Sequence, residues 1–395
     1  MTTQGIWNVS LMMLVMFLLH LQGIVCPAGG TTELDLSNRN LHVLSDGMFN
    51  EYPNLEVLIL FDNYIDAIQP GAFSGLTSLE TLYLSGNQLR TLKENMFRGL
   101  NSLKTLEIEA NVISEMEPGA FSGLQSLETL NLSGNKLTIL KNGVLRNLTS
   151  LKTLTIRSND ISMVQSGTFS DLRSLKMLYL SYNDLSNLTN KMFDGLISLK
   201  TLALSSNTIS QVEPESFDGL PTLERLELNN NKFTRMTGMF RQLTTLTSLS
   251  LSGNEISEID SRAFSGLVSL ESLYLRANKL TKLTNEMFSS LTNLTTFLDL
   301  DSNVIEDIES GAFSGLQSLK KLDLGVNKLK TLTQNMFSSL VSLTYLDIYN
   351  NDISEIKTGA FSGLKSLGNL ILRHNKLSIL TKQMFKSLTS LTSLF

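Results

Sequence analysis

The chain has 395 residues and a net charge of -5, and only 17% of its residues are charged, against roughly 25% in an average soluble domain. A nucleic-acid-binding protein usually carries a basic stripe, so this composition argues against a nucleic-acid partner. Cys26 is the only cysteine, which excludes a disulfide bond within the chain.

The chain begins with an apolar run over residues 10–25, followed by small residues at positions 28–30. We interpret residues 1–30 as a secretory signal peptide and a remnant of an N-terminal cap. No Lys or Arg precedes the run, so a retained signal anchor is the alternative, although the run is shorter than the about 20 apolar residues of a membrane span. The expected location is extracellular, or the cell surface if the chain is a fragment of a membrane protein.

Beyond residue 30, asparagine recurs at a spacing of 24 residues or within one residue of it. Repeats of fixed length contact only their neighbours and stack in one dimension. We therefore predict that residues 31–395 form one solenoid of about 15 repeats that stops in a sixteenth. The repeated asparagines are Asn63, Asn87, Asn111, Asn135, Asn159, Asn183, Asn207, Asn231, Asn254, Asn278, Asn303, Asn327, Asn351 and Asn375.

Residues 79–100 show one repeat in full. Leu82 and Leu84 alternate with Thr81, Tyr83 and Ser85, which is the period of a β-strand with one buried side. Each repeat is therefore expected to place one short parallel strand beside the strands of its neighbours, with its leucines buried between the coils.

The asparagine that follows each strand is expected to turn the chain inside the solenoid. Backbone groups buried at such a turn need partners, and a side-chain amide offers both an acceptor and donors. We predict a ladder of asparagine side chains, one per coil, that satisfies the backbone of the turns.

A second ladder is predicted on the returning side of the coils, where one buried phenylalanine per repeat contributes roughly 1.5 to 3 kcal/mol. Only Leu145 interrupts the series. The series consists of Phe49, Phe73, Phe97, Phe121, Phe169, Phe193, Phe217, Phe240, Phe264, Phe288, Phe313, Phe337, Phe361 and Phe385.

Two intervals between the asparagines are irregular. The interval that ends at Asn254 is one residue short, and the interval that ends at Asn303 is one residue long. We expect the deletion, before Phe240, and the insertion, near Phe297, to be absorbed in loops.

The pattern Leu-x-x-Leu-x-Leu-x-x-Asn-x-Leu, followed by Phe-x-x-Leu, resembles the leucine-rich repeat family in its 24-residue extracellular type, as in Toll-like receptor ectodomains and adhesion proteins. The resemblance covers Leu34 to the end of the chain. It implies an α/β repeat solenoid, a right-handed horseshoe with a parallel β-sheet on the concave face and loops or short 3-10 turns on the convex face. It also implies binding of proteins or other large ligands, and no catalysis.

The sequence departs from the family at both ends. Cys26 and Pro27 resemble only a remnant of a cysteine-rich cap, and Arg39 stands where the first ladder asparagine belongs, which fits a capping coil. An open solenoid end exposes leucines and strand edges. We therefore expect either that the chain is a fragment or that a second copy covers the end near Phe395, as in a homodimer.

Ligand-binding residues are expected in the exposed columns of the sheet, six, four and two residues before each asparagine. Many coils carry small polar side chains there, as at Ser248, Ser250 and Ser252. Richer chemistry occurs toward the carboxyl end, at Tyr274, Arg276, Phe297, Asp299, Asp301, Lys321, Asp323, Tyr345, Asp347, Tyr349, Ile371 and Arg373. Because Tyr and Arg are frequent interface hot spots, we predict that this surface binds the ligand; ordinary solvated side chains are the alternative.

No catalytic residue, cofactor or metal site is predicted. The aspartates of this surface could suggest a calcium site, but side chains on a wide sheet rarely supply the six to eight oxygens that calcium prefers. The chain has no nucleophile elbow, no histidine cluster with metal spacing and no phosphate-binding loop. We therefore do not expect an enzyme.

Four Asn-x-Ser/Thr sequons follow the apolar run, at Asn131, Asn147, Asn187 and Asn293, and predict N-glycosylation of a secreted protein. A glycan on Asn131, which falls in an exposed column, would cover the middle of the sheet and leave its flanks for binding.

Together these patterns favour a secreted or cell-surface binding protein that recognises an extracellular protein or a microbial ligand in a receptor-like manner. The alternative is a matrix or adhesion protein in which the array is mainly a structural spacer. No segment after the apolar run could cross a bilayer, so the mature chain is expected to have no membrane span.

Overall fold

The computed structural model describes residues 30–395, which form two compact units, the first ending at Leu175 and the second running from Lys176 to Phe395. The apolar run interpreted as a signal peptide and Cys26 lie outside the described residues. Residues 30–395 contain no helix, and their coils consist of strands joined by turns. The predicted repeat solenoid of stacked parallel strands is confirmed, and its returning segments are turns.

In the first unit, each coil contributes one three-residue strand to a parallel sheet. These strands are Glu33–Asp35, Val57–Ile59, Thr81–Tyr83, Thr105–Glu107, Thr129–Asn131 and Thr153–Thr155. Two-residue strands on the other side of the turn pair two by two: Val43–Leu44 with Ala67–Ile68, Thr91–Leu92 with Glu115–Met116, and Ile139–Leu140 with Met163–Val164.

The second unit repeats the same arrangement. Its sheet strands are Met177–Tyr179, Thr201–Ala203, Arg225–Glu227, Ser248–Ser250, Ser272–Tyr274, Phe297–Asp299, Lys321–Asp323, Tyr345–Asp347, Asn369–Ile371 and Ser393–Leu394. Its two-residue strands pair as Asn187–Leu188 with Gln211–Val212, Arg235–Met236 with Glu258–Ile259, Lys282–Leu283 with Asp307–Ile308, and Thr331–Leu332 with Glu355–Ile356.

The strands are in register because the repeats have nearly constant length. Leu58 pairs with Leu82, and Leu82 pairs with Leu106 in the next strand. All three leucines have no exposed surface, so each contributes roughly 1.5–3 kcal/mol of burial. Thr81 and Tyr83, which alternate with them, are half-buried on the opposite side, and this alternation creates the outward-facing columns.

The asparagine side chains join each coil to the one before it. Asn87 accepts the backbone N–H of Ile65 at 3.0 Å through Oδ1, and its Nδ2 donates to the carbonyl oxygens of Leu60 and Leu84 at 2.9 and 3.0 Å. Equivalent N–H bonds to Oδ1 recur along both units at 2.9–3.2 Å. All the ladder asparagines are buried except Asn375, which is half-buried.

In the first coil Arg39 stands where the later coils have an asparagine. The asparagine of the next coil, Asn63, bonds the backbone of this first turn. The backbone N–H groups of Arg39 and Leu41 both donate to Asn63 Oδ1, at 2.9 and 3.1 Å. The first turn therefore keeps part of the ladder bonding without an asparagine of its own.

The phenylalanines stack along the returning side. The ring centroids of Phe49 and Phe73 are 6.2 Å apart, and those of Phe337 and Phe361 are 6.3 Å apart. Leu145 fills the one position without a ring and is buried. Phe385 is only half-buried, so the last described ring contributes less burial than the others.

Both irregular intervals are absorbed between strands. The extra residue lies in the bend at Thr296, because Phe297 still pairs in register with Ser272. The missing residue is lost from the turn between Met236 and Phe240, since Met236 still pairs with Ile259. The columns of the sheet are therefore unbroken within the second unit.

The residue before each ladder asparagine takes a left-handed conformation. Its φ is 70° at Gly86, 59° at Tyr182 and 48° at Val326. This conformation costs a residue with a Cβ atom roughly 1–2 kcal/mol. The hydrogen bonds of the asparagine ladder must therefore also offset this local backbone strain.

We predict that Asn87→Leu lowers the free energy of unfolding by about 1–3 kcal/mol for each backbone group left without a partner, because leucine keeps the volume but offers neither acceptor nor donor. Chemical denaturation measures the change. Asn101 is exposed, and Asn101→Leu is the matched control, expected within about 0.5 kcal/mol of the parent. Equal destabilisation by both substitutions would contradict the ladder.

Candidate ligand-binding surface

The structure places the predicted binding residues on neighbouring strands of the second unit. Tyr274 pairs with Asp299, Asp299 with Asp323, Asp323 with Asp347, and Asp347 with Ile371. Adjacent strands lie about 4.8 Å apart, so three carboxylates stand side by side. We call Asp299, Asp323 and Asp347 the acidic row.

The candidate residues differ in exposure. Arg276, Lys321 and Arg373 are exposed, whereas Tyr274, Phe297, Asp323, Tyr345, Tyr349 and Ile371 are half-buried. The expectation that all the columns are exposed is wrong for Asp299, Asp301 and Asp347, which are only 8%, 0% and 6% exposed. The Tyr345 hydroxyl bonds Asp347 and Arg276 pairs with Asp301, so neighbouring side chains cover these two carboxylates.

The acidic row is held in place by its own turns. The Oδ1 atoms of Asp299, Asp323 and Asp347 accept the backbone N–H of the residue two positions later, at 3.1, 2.8 and 2.9 Å. Aspartate commonly bonds its own backbone in this way. The carboxylates are therefore oriented by the fold.

Burial is the largest influence on the pKa values of the three aspartates in the acidic row. It raises the pKa of Asp323 to about 7, against the opposing hydrogen bond from the Gly325 N–H, and the neighbouring carboxylates of Asp347, Asp301 and Asp299 raise it further. Burial also raises the pKa of Asp299 and that of Asp347. Asp323 therefore becomes negatively charged as the pH rises through neutrality.

Asp301 lies fully buried in the next column. Its Oδ2 forms an ion pair with Arg276 and accepts a hydrogen bond from Ser302 Oγ at 2.7 Å. Its Oδ1 has no hydrogen-bond partner among residues 30–395 and lies 2.9 Å from the position that a Cβ atom would take on Gly325. The ring of Tyr349 occupies the same space, so only glycine at position 325 lets this ring approach Asp301.

Aromatic side chains surround the acidic row. Tyr274 and Phe297 meet edge to face, with ring centroids 5.7 Å apart. The Tyr345 hydroxyl donates to Asp347 Oδ2 at 3.2 Å, and burial, then the Asp347 charge, raises the pKa of Tyr345 to about 12. The guanidinium of Arg373 lies over the Tyr349 ring, 5.6 Å from its centroid. The surface thus combines carboxylates, rings and cations.

The carboxylates of this surface were the residues that could suggest a calcium site. Within residues 30–395, no group of three or more His, Cys, Asp or Glu side chains is arranged to hold a metal ion. The Oδ1 atoms of the acidic row each accept a backbone N–H.

A second surface, which was not predicted from the sequence, lies on the sheet of the first unit. Ile59 pairs with Tyr83 in the outward columns, and the rings of Phe61 and Tyr83 are 5.0 Å apart. Burial raises the pKa of Glu107, the residue that pairs with Tyr83 on the next strand. The sequence does hold the information for this patch, because Ile59 and Phe61 lie four and two residues before Asn63, and Tyr83 lies four residues before Asn87.

The sequons differ in accessibility. Asn147 and Asn293 are exposed, whereas Asn131 and Asn187 are half-buried. The Asn131 amide is engaged at both ends, since it donates to Glu109 Oε2 at 2.8 Å and accepts the Ser133 N–H at 3.0 Å.

Solved structures share this fold. One is the structure of the Toll–Spatzle complex from Drosophila, in which the matching chain shares 23% sequence identity with this protein. The two superpose with a TM-score of 0.78, and the match covers 87% of this chain and 47% of that one. Its glycosylated form is 24% identical with a TM-score of 0.77, over 93% and 50%. A leucine-rich repeat protein of Leptospira interrogans is 26% identical with a TM-score of 0.64, over 93% and 96%. The chain therefore spans about half the length of the Toll chain.

The family comparison agrees with the repeat pattern. The model described as Leucine rich repeat matches residues 30–89, 53–113, 87–137, 101–161, 149–209, 197–256, 244–298, 296–353 and 343–395. No curated protein sequence matches the chain significantly. Because successive matches overlap from residue 30 to residue 395, the chain belongs to the leucine-rich repeat family.

Proposed function

We propose that the chain is a secreted or cell-surface binding protein that recognises an extracellular protein or another macromolecular ligand through the sheet of its second unit. One observation supports this most: neighbouring strands carry aromatic, cationic and acidic side chains together in the outward columns, where another coil of the same unit holds only Ser248, Ser250 and Ser252. The solved Toll structure, with the same fold, is a complex with Spatzle. The proposed role requires no catalysis.

The chemistry of the surface favours a protein as the partner and disfavours nucleic acid. The chain carries a net charge of -5, and the acidic row would repel phosphate groups. Rings and arginines on one patch are the types that most often dominate protein interfaces.

We propose the same division of the chain as the sequence predicts. Residues 1–30 would be a signal peptide and a remnant cap, and residues 31–395 the solenoid. Within residues 30–395, no helix has the length and apolar character needed to cross a membrane.

We predict that replacing Tyr345 with Ala, Asp347 with Ser and Tyr349 with Ala abolishes capture of the dominant partner from extracellular fluid, because the change removes two rings and one carboxylate. Immobilised parent and variant are compared by quantitative mass spectrometry of the retained proteins. Circular dichroism and thermal unfolding establish that the variant is folded.

The matched control replaces Ser248, Ser250 and Ser252, which occupy the same columns on another coil of the same unit. Changing all three to Ala should leave capture as in the parent. Unchanged capture by the Tyr345 variant would refute recognition by this surface and favour a structural spacer.

We predict that the protein, expressed in a secreting eukaryotic cell, carries N-glycans mainly at the exposed Asn147 and Asn293, with lower occupancy at Asn187 and Asn131. Asn187 and Asn131 are half-buried, which hinders access to their amides. Peptide mass mapping of the secreted protein measures the occupancy of each site. Unmodified Asn147 and Asn293 in the secreted protein would contradict the prediction, and unmodified Asn131 would remove the hypothesis of a glycan over the middle of the sheet.

A further inference from the structure

We propose that Asn142 is a site of spontaneous covalent modification, at which the side-chain amide is lost and the residue becomes aspartate or iso-aspartate. The inference does not depend on the proposed binding function. It is carried by the Asn142–Gly143 turn, by the groups in this turn that make no hydrogen bond, and by turns at the same place in other coils that differ from it.

The turn that contains Asn142 leaves both reacting groups free. It follows the two-residue strand Ile139–Leu140, and the exposed Asn142 donates its backbone N–H to Gln165 Oε1 at 3.0 Å. Within residues 30–395, neither the side-chain amide of Asn142 nor the N–H of Gly143 makes a hydrogen bond. No hydrogen bond therefore has to break before these two groups react.

The reaction joins the Gly143 nitrogen to the side chain of Asn142. This nitrogen loses its proton to water or hydroxide and attacks Cγ. A C–N bond forms, the bond between Cγ and Nδ2 breaks, and Nδ2 takes up a proton and leaves as ammonia, which closes a cyclic imide. Water then opens the imide, at Cγ to give aspartate or at the main-chain carbonyl carbon to give iso-aspartate. The net reaction consumes water and releases ammonia, without an oxidant or a reductant.

Glycine at position 143 makes this attack possible. A side chain would place a Cβ atom beside the nitrogen that must approach Cγ of Asn142, whereas glycine carries only hydrogen there. The φ of Gly143 is 85°, in the left-handed region. A Cβ atom built on Gly143 would meet nothing within 4 Å, so the space beside this residue is open.

Two turns at the same place in other coils serve as internal controls. Asn142, Asn190 and Asn285 each lie seven residues after a ladder asparagine, and all three are exposed. Lys191 follows Asn190, Glu286 follows Asn285, and both have a φ of 62°, which is also left-handed. The three turns therefore resemble one another in backbone conformation and differ in the side chain that follows the asparagine.

The two control turns also differ from each other in one useful respect. Asn190 Oδ1 accepts the Glu215 N–H at 3.0 Å. The side chain of Asn285 makes no hydrogen bond within the described residues. Asn285 therefore isolates the effect of the following side chain, whereas Asn190 combines that effect with a bonded amide.

The aspartate product is compatible with this turn, because the chain already contains it at an equivalent place. Asp46 and Gly47 occupy the corresponding positions of the first coil, and Gly47 has a φ of 70°. Asp46 Oδ1 accepts the Gly71 N–H of the next coil at 2.8 Å. An aspartate at position 142 can therefore be held in the same way.

The iso-aspartate product does not fit the turn equally well. It adds a methylene group to the main chain between positions 142 and 143. Val144 and Leu145 follow directly and are buried, so the longer main chain displaces two side chains of the core. The two products therefore have different consequences for the coil, although both add one negative charge.

The experiment incubates the purified full chain at about pH 7 and about pH 9 and follows each asparagine by peptide mass spectrometry. Electron-transfer fragmentation distinguishes iso-aspartate from aspartate, and digestion in water labelled with heavy oxygen marks any conversion during handling. Asn142 should convert at least about tenfold faster than Asn190 and Asn285 and should yield iso-aspartate. Conversion should be faster at the higher pH, because the attacking nitrogen must lose its proton.

The matched variant is Gly143→Lys, which copies the Asn190–Lys191 turn of another coil. It should slow the conversion of Asn142 at least about tenfold, and circular dichroism establishes that it is folded. If the variant does not fold, the comparison of Asn142 with Asn190 and Asn285 in the parent chain decides the question.

Three results would overturn the proposal. The first is equal conversion at Asn142, Asn190 and Asn285. The second is an intact Asn142 after a time in which a synthetic peptide of residues 139–146 has converted, which would show that the fold protects the turn. The third is conversion to aspartate alone, since hydrolysis through the imide also yields iso-aspartate.

Discussion

The side-chain amide of asparagine, buried once per coil, is the interaction on which the rest of this solenoid depends. Each strand is only three residues long, far too short to be stable alone. The chain must then turn inward, where its backbone groups have no water to bond. One amide accepts an N–H of the preceding coil and donates to carbonyls of two coils, so the turn is satisfied and the coils are joined together.

This bonding frees the outward columns of the sheet for function. The leucines are buried in the core, and the residues that alternate with them face outward in the columns. Within the second unit these positions carry Asp299, Asp323 and Asp347 at the spacing of neighbouring strands. The proximity of like charges is unfavourable in itself, and the fold tolerates it because the leucine core and the two ladders supply stability elsewhere.

Much of the fold could be predicted because its rules are local and repeat. A strand period and a fixed interval suffice to locate the strands of the main sheet, the ladders and the columns, whereas the two-residue strands were not predicted. Burial within the columns could not be predicted, since it depends on contacts between coils: Asp301 is covered by Arg276 and by a Tyr349 ring that fits only above Gly325. The patch formed by Phe61 and Tyr83 was missed although its columns were readable.

Backbone hydrogen exchange tests most directly whether the ladder of asparagine amides holds neighbouring coils together. The N–H groups of Leu89, Ile113 and Ile305 donate to asparagine Oδ1 atoms, at 3.0, 3.0 and 2.9 Å. We predict that they exchange as slowly as the amides of the sheet strands, because opening them requires separating two coils. Exchange at the rate of an unprotected loop, in a chain whose strand amides stay protected, would contradict the account.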